Sequence, residues 1–423
     1  MRASLKRILF LCMLPLAACD LDIENPNALT EEEVLADQAG IISLAVGMQG
    51  LYAGNFEELI QASALVTDEW GTTTGSLLSY RTLLQGPTVD IVSDFGVVEE
   101  PFETAFLVVR SANTILENVG GVQFDAATAG SIRALAKLFK AMALGAAIQH
   151  FEEIPIDVSV PDPVFQSRDI VLDTVIALLE SARTELAAAG PSAIFDTRVV
   201  PEEFDVGNTI DAMLARYHLI DGNYSAAITA ADRVDLTSLS LFIYPTPDIN
   251  PIFNLGIYVS PLASFVAEAE PGDERPAFWV DVSATPTGGT PPDTLLLPFG
   301  QYGTPDDPIP VFLPDEMKLI QAEAYTRLGD FDIARGLVNE VRTQSSSTVE
   351  EPVANLPAIP EAALDSEAEL LAQIAYERRY ELYEQGLRWE DVRRFGEALT
   401  TVPTIEFLPI PRQECVTNET LDC

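Results

Sequence analysis

Basic residues are scarce in this 423-residue chain: 24 lysines and arginines stand against 65 aspartates and glutamates, for a formal net charge of −41. A surface of that sign repels phosphate, which excludes nucleic-acid binding and adhesion to anionic lipid. Histidine is nearly missing. His150 and His218 are the two present, and both fall in apolar, helix-like stretches that mark them as structural. With so few histidines and four cysteines there is no metal-ligand cluster of the zinc type. The many acids would allow a structural Ca²⁺, but no EF-hand loop pattern occurs, and no cofactor is implied. Gly-x-Ser-x-Gly, His-Glu-x-x-His and P-loop motifs are all absent. Beyond the N-terminus, no run is long and apolar enough to cross a bilayer, which takes about 20 residues.

What is present starts with a secretion signal. Arg2, Lys6 and Arg7 precede an apolar run from Ile8 to Ala18, too short to span a membrane. The run closes on Leu16-Ala17-Ala18-Cys19, which resembles the bacterial lipoprotein cleavage box. We therefore expect a signal peptide over 1–18 and lipidation of Cys19. Cleavage removes three basic residues and no acid, so the mature charge becomes 21 − 65 = −44. One acyl chain holds only marginally, and stable anchoring takes two or more. Cys12 leaves with the signal. Cys415 and Cys423 then remain, close enough in sequence to close a small terminal loop in an oxidising compartment.

The body of the chain reads as helices. Phe102, Phe106, Val109, Ala112, Leu116 and Val119 share one helical face, ended by Gly120-Gly121. Ile132, Leu135, Phe139, Met142 and Ala146 repeat the spacing over 131–150, and Val171 to Leu186 does so before Gly190-Pro191. Gly222-Asn223-Tyr224 with Ala227, and Gly329-Asp330-Phe331 with Ala334, both read Gly-[Asn/Asp]-aromatic-x-x-Ala between amphipathic segments. That resembles the tetratricopeptide turn. The expected fold is mainly α: tetratricopeptide-like helix pairs forming a solenoid-like core with a loop-rich ligand-binding face.

That face is placed at about 241–310, where 13 of the 29 prolines fall with a single basic residue, Arg275. Prolines at this density break helices. The stretch also holds nine aromatics, from Phe242 to Tyr302, and disordered linkers are poor in aromatics. It reads as an ordered insertion. A long closing helix is expected from Ser366 to Phe395, with Glu384–Arg388 and Glu390–Arg394 as i,i+4 pairs on its polar face. Trp389 in that helix reads as core.

The C-terminal region, about 311–423, carries a specific likeness. Glu316-Met317-Lys318-Leu319-Ile320-Gln321-Ala322-Glu323-Ala324 leads into the Gly329 turn and Asn339-Glu340-Val341-Arg342. Tyr376-Glu377-Arg378-Arg379-Tyr380-Glu381-Leu382-Tyr383-Glu384-Gln385-Gly386-Leu387-Arg388-Trp389 follows, and then Pro409-Ile410-Pro411. This ordered series resembles the SusD/RagB family of outer-membrane lipoproteins. Asp68-Glu69, Ser111-Ala112-Asn113 and Glu153-Ile154-Pro155 agree with it in order upstream.

The resemblance implies one SusD/RagB-like domain over 19–423. It also implies an outward-facing, lipid-anchored place in the outer membrane and capture of glycans or peptides for a SusC-like TonB-dependent transporter. The chain is shorter than many members, which implies trimmed binding loops. Glycan capture needs flat aromatic faces beside hydroxyl-bonding groups. Asp68, Glu69, Trp70, Tyr80 and Arg81 offer that mixture, with Trp279 as a second candidate. A glycosidase needs two carboxylates about 5 to 9.5 Å apart. With 65 acids that requirement singles out nothing, and the expectation is a protein that is not an enzyme. The alternative is a tetratricopeptide-like envelope scaffold for protein–protein assembly. It would leave the aromatic insertion unexplained.

Overall fold

The computed structural model describes residues 34–396, 400 and 404–421. The signal region 1–18, Cys19 and Cys423 lie outside the described residues; Cys415 is disulfide-bonded.

Two helices open the fold, α1 (Gln38–Gly54) and α2 (Phe56–Val66), with the Asp37 carboxylate accepting from the Ala39 amide to cap the first. After strand β1 (Trp70–Thr73) come α3 (Leu78–Leu84), α4 (Gly96–Asn118) and α5 (Ala126–His150). Asp125 caps α5, accepting from Thr128 N at 2.8 Å. A short hairpin, β2 (Glu153–Pro155) with β3 (Phe165–Ser167), leads to α6 (Arg168–Ala189). Four helices form the two tetratricopeptide-like hairpins: α7 (Val206–Ile220) with α8 (Tyr224–Ala231), and α9 (Pro314–Leu328) with α10 (Phe331–Thr343).

Both hairpin turns close the same way. Gly222 (φ 77°) and Gly329 (φ 88°) take the left-handed conformation. Asn223 N then donates to His218 O at 2.8 Å, and Asp330 N to Tyr325 O at 2.9 Å. Behind each turn the alanine, Ala227 or Ala334, is fully buried. The hairpins are 329 − 222 = 107 residues apart in sequence, yet α8 packs directly on α9. Upstream, α4, α5, α6 and α7 pack each on the next. At Gly145 in α5 an added Cβ would come within 2.1 Å of the Tyr217 ring, so glycine is what lets α5 and α7 approach.

The expected closing helix is broken. It runs as α11 (Glu367–Glu381), stops over Leu382–Leu387, and resumes as α12 (Arg388–Phe395). Glu384 (φ 62°) and Gly386 (φ 71°) are left-handed. The chain at Gly386 passes so near Ile60 of α2 that a Cβ would meet it at 2.7 Å. The two expected i,i+4 pairs give way to tertiary partners and to i,i+3 pairs within the helix. Glu384 accepts from the Trp70 indole, while Arg388 donates to Thr400 O. Glu390 pairs with Arg168 and Arg393, and Arg394 with Glu323 and Asp391. Glu384, Arg388 and Glu390 are buried and Arg394 is half-buried, so the supposed polar face is largely an interior one.

One continuous core runs from Ile41 to Leu408 and includes Trp389, with a smaller cluster around Val338, Leu370 and Ile374. Among the described residues no helix is long and apolar enough to cross a membrane.

Candidate ligand-binding face

The insertion at 241–310 is ordered by pairing with the N-terminal region. Strand β4 (Leu241–Phe242) pairs with β8 (Ile309–Pro310) at its base. Further out, β5 (Val259–Pro261), β6 (Thr287–Thr290) and β7 (Leu295–Leu296) join β1 in a four-stranded sheet of order β5-β1-β6-β7. In the antiparallel register Trp70 lies opposite Pro261, and Thr72 opposite both Val259 and Thr290. Two sequence segments about 190 residues apart, one around Trp70 and one around Val259, thus form one surface.

The sheet also decides what that surface can display. Trp70 is fully buried, its Nε1 donating to Glu384 Oε1 at 3.1 Å and its ring meeting Phe299 edge-on at 5.7 Å. Trp279 is equally buried and donates from Nε1 to Tyr380 O at 3.0 Å. As placed, neither indole offers a face to a ligand. Their polar edges are satisfied inside, as large aromatics require when buried. Glu69 is buried as well, and burial pushes its carboxyl up to about 7 against the pull of Arg388. Burial likewise drives Glu384 well above the usual carboxylate range. This carboxylate pair is shut away from any substrate.

The remaining candidates lie nearer the surface. Asp68 sits exposed at a left-handed turn (φ 57°). Arg81 is half-buried and donates from Nη2 to Thr74 O at 2.9 Å. Tyr80 is buried, its ring 6.0 Å from that of Tyr258, which is half exposed. Thr73 bonds the backbone of the same loop, donating from N to Tyr258 O and from Oγ1 to Ile257 O, both at 2.9 Å. Around this junction stand large apolar side chains open to solvent: Leu78 (68 % exposed), Ile257 (67 %), Leu77 (50 %) and Phe253 (39 %). Exposed apolar groups gathered this way mark interaction sites more than chance surface. The sequence held a signal for them, since Leu77-Leu78 and Ile257 are apolar residues placed at glycine-containing turns where polar ones are usual. A cleft of about 550 Å³ borders the same sheet between Leu262–Ala267 and Pro292–Leu295.

The fold is that of the SusD-like proteins over nearly the whole chain. A SusD homolog from Bacteroides thetaiotaomicron matches with a TM-score of 0.71 at 14% identity, covering 93% of this chain and 98% of its own. A SusD-like carbohydrate binding protein from Bacteroides vulgatus matches at 0.65 and 16% identity, covering 84% and 83%. A laminarin binding SusD-like protein matches at 0.67 and 15% identity, covering 93% and 98%. Residues 315–419 match the model of the SusD family. No curated protein matches it in sequence.

Proposed function

We propose that this chain is an outward-facing outer-membrane lipoprotein, anchored through Cys19, that captures glycans without cleaving them and passes them to a SusC-like TonB-dependent transporter. Residues 19–423 act as one domain, and no cofactor takes part. The observation that carries the reading is the match in fold, nearly end to end, to SusD-like proteins described as carbohydrate binding and laminarin binding. The exposed patch supplies the chemistry. The C–H face of a sugar packs on apolar and aromatic surface such as Phe253, Ile257 and Tyr258, while Thr73, Thr74 and Arg81 stand nearby to bond hydroxyls. Non-catalytic capture accords with the burial of Glu69 and Glu384, which leaves that carboxylate pair no access to a glycosidic bond.

The test is binding of the chain, without signal or lipid, to polysaccharides, oligosaccharides and peptides, with product release followed in parallel. Saturable glycan binding without turnover is expected. It should be about tenfold weaker in Tyr258→Ala, the loss of about 1.4 kcal/mol of contact. Binding of peptides alone would change the ligand class, and release of a cleaved product would end the non-enzymatic reading.

A further inference from the structure

Below the insertion, three carboxylates from separate parts of the chain meet inside the protein. Asp315 stands in the first turn of α9, Glu351 in the loop after α10, and Glu381 at the end of α11. Each offers an oxygen to a point where all three lie within 4.8 Å of one another, and all three are buried. Like charges so close, out of water, repel strongly unless something lies between them.

The neighbouring groups supply it only in part. Neither oxygen of Asp315, on a side chain 1 % exposed, has a hydrogen-bond partner, although Lys318 Nζ lies 2.5 Å from Oδ1 as an ion pair without hydrogen-bond angles. Glu351 uses Oε1 to accept from Gln344 Nε2 at 2.9 Å and from Ser347 Oγ at 2.5 Å, which leaves Oε2 unpartnered. Glu381 is fully buried, with Oε2 at 3.5 Å from Arg275 Nη1 and Oε1 unpartnered. Arg275 is already engaged by Asp273 at 2.7 Å and Glu377 at 2.6 Å, and Glu377 also meets Arg342 at 3.2 Å. Five enclosed carboxylates (Asp273, Asp315, Glu351, Glu377, Glu381) therefore face three cations (Arg275, Lys318 and Arg342, the last also paired at 2.5 Å with the more exposed Glu270), and with every carboxyl ionised 5 − 3 leaves at least two negative charges unmatched.

We propose that Asp315, Glu351 and Glu381 hold a divalent cation, Ca²⁺ by their chemistry, which ties the loop at Glu351 to the helices on either side. An all-oxygen donor set selects a hard cation over zinc or copper. Oxygens facing each other across Ca²⁺ at about 2.4 Å are about 4.8 Å apart, which these three carboxylates satisfy. One such ion also carries the two missing charges. Burial raises all three carboxyls, Glu351 to about 7, so protons are the competitor the ion must displace. Glu381 shares Arg275 with the insertion, so the ion secures the same seam that positions Trp279, which lies on the short helix starting at Arg275.

The test uses the chain stripped with a chelator and then titrated with CaCl₂ by calorimetry and thermal unfolding at physiological salt, where loose surface binding is screened. One tight equivalent with a raised melting temperature is expected. Glu351→Gln, which can still accept from Gln344 and Ser347, should bind at least about tenfold more weakly. Terbium supplies a second readout that does not depend on the variant folding. Its emission, excited through Tyr380 beside Glu381, should saturate at one equivalent and be displaced by Ca²⁺. Absence of a tight equivalent, or one unchanged in Glu351→Gln, would overturn the site, as would terbium emission that never saturates. MgCl₂ binding in place of CaCl₂ would overturn the choice of calcium.

Discussion

Helices α4 to α6 and the C-terminal helices α9 to α12 are of similar make in outline, yet their interiors are built from different groups. In α5 the buried face includes Ala134, Ala136, Ala141, Ala143 and Ala147 with Leu138, Phe139 and Leu144, and charge stays at the rim, as in the Lys137 and Arg133 pairs with Glu185. In α9, α11 and α12 the interior holds Glu323, Glu377, Arg378, Glu381, Arg388, Glu390 and Asp391. Arg378 Nε lies 2.9 and 3.0 Å from the two oxygens of Asp391, and Arg394 joins Asp391 to Glu323. Alkyl packing is non-directional and tolerant of exchange. Buried ion pairs demand one geometry and penalise every other. The difference teaches that the C-terminal part gains definition from its charges more than stability, as suits the region that holds the Trp70 and Trp279 seams in place.

Asp391→Ala should break that contrast most severely, since it leaves Arg378 buried without its main partner. A loss of about 3–5 kcal/mol is expected by denaturant unfolding. The double change Arg378→Met with Asp391→Leu should recover most of it, because removing both charges removes the desolvation cost. If the double variant stays as unstable as the single one, the pair contributes net stability and the contrast is wrong.

His150 lies where the two regions meet. Its ring sits edge-on to Trp389 at 5.8 Å, and its carbonyl accepts from Leu408 N at 2.8 Å. Burial lowers its pKa from 6.5 to about 4. Between those values the unfolded chain binds the proton and the folded chain does not. The contribution of His150 is therefore complete above pH 6.5 and is lost as pH falls toward 4, by about 3 kcal/mol in all. Comparing the wild type with His150→Leu at pH 7 and pH 4.5 isolates this from the many titrating carboxylates. An equal acid loss in both proteins would remove His150 from the account.

The smallest effect is expected on the alkyl side. Gly145→Ala pushes a methyl into the Tyr217 ring and should cost about 1–3 kcal/mol as overpacking. Tyr217→Leu in the same background should return part of it. A Gly145→Ala protein as stable as wild type would show that α5 and α7 separate more easily than close packing suggests.

Local pattern carried far in this chain. The helical spacing at Phe102–Val119 and Ile132–Ala146, the stops at Gly120 and Gly190, and the paired turns at Gly222 and Gly329 all follow from residues within a few positions of each other. The order of motifs after Glu316 was likewise enough to point to the family. The candidate site was half legible. Sequence brought attention to the 68–81 stretch and to the insertion, and these two do join in one sheet, but it placed Trp70 and Trp279 at the ligand. Whether an indole is buried depends on partners such as Glu384 and Tyr380, 314 and 101 residues away, that no window around the tryptophan contains. The same holds for the break at Leu382–Leu387, imposed by the passage over Ile60.

By itself, then, the sequence determined most of the helices, the hairpin turns and the likeness to the SusD family at the C-terminal end, because periodicity, capping and glycine conformation act over a turn or two of chain. Only the tertiary structure decided which aromatics reach solvent at Phe253 and Tyr258, and which acids converge at Asp315, Glu351 and Glu381. Burial and charge proximity are sums over all neighbours in space, and those neighbours come from every part of the chain.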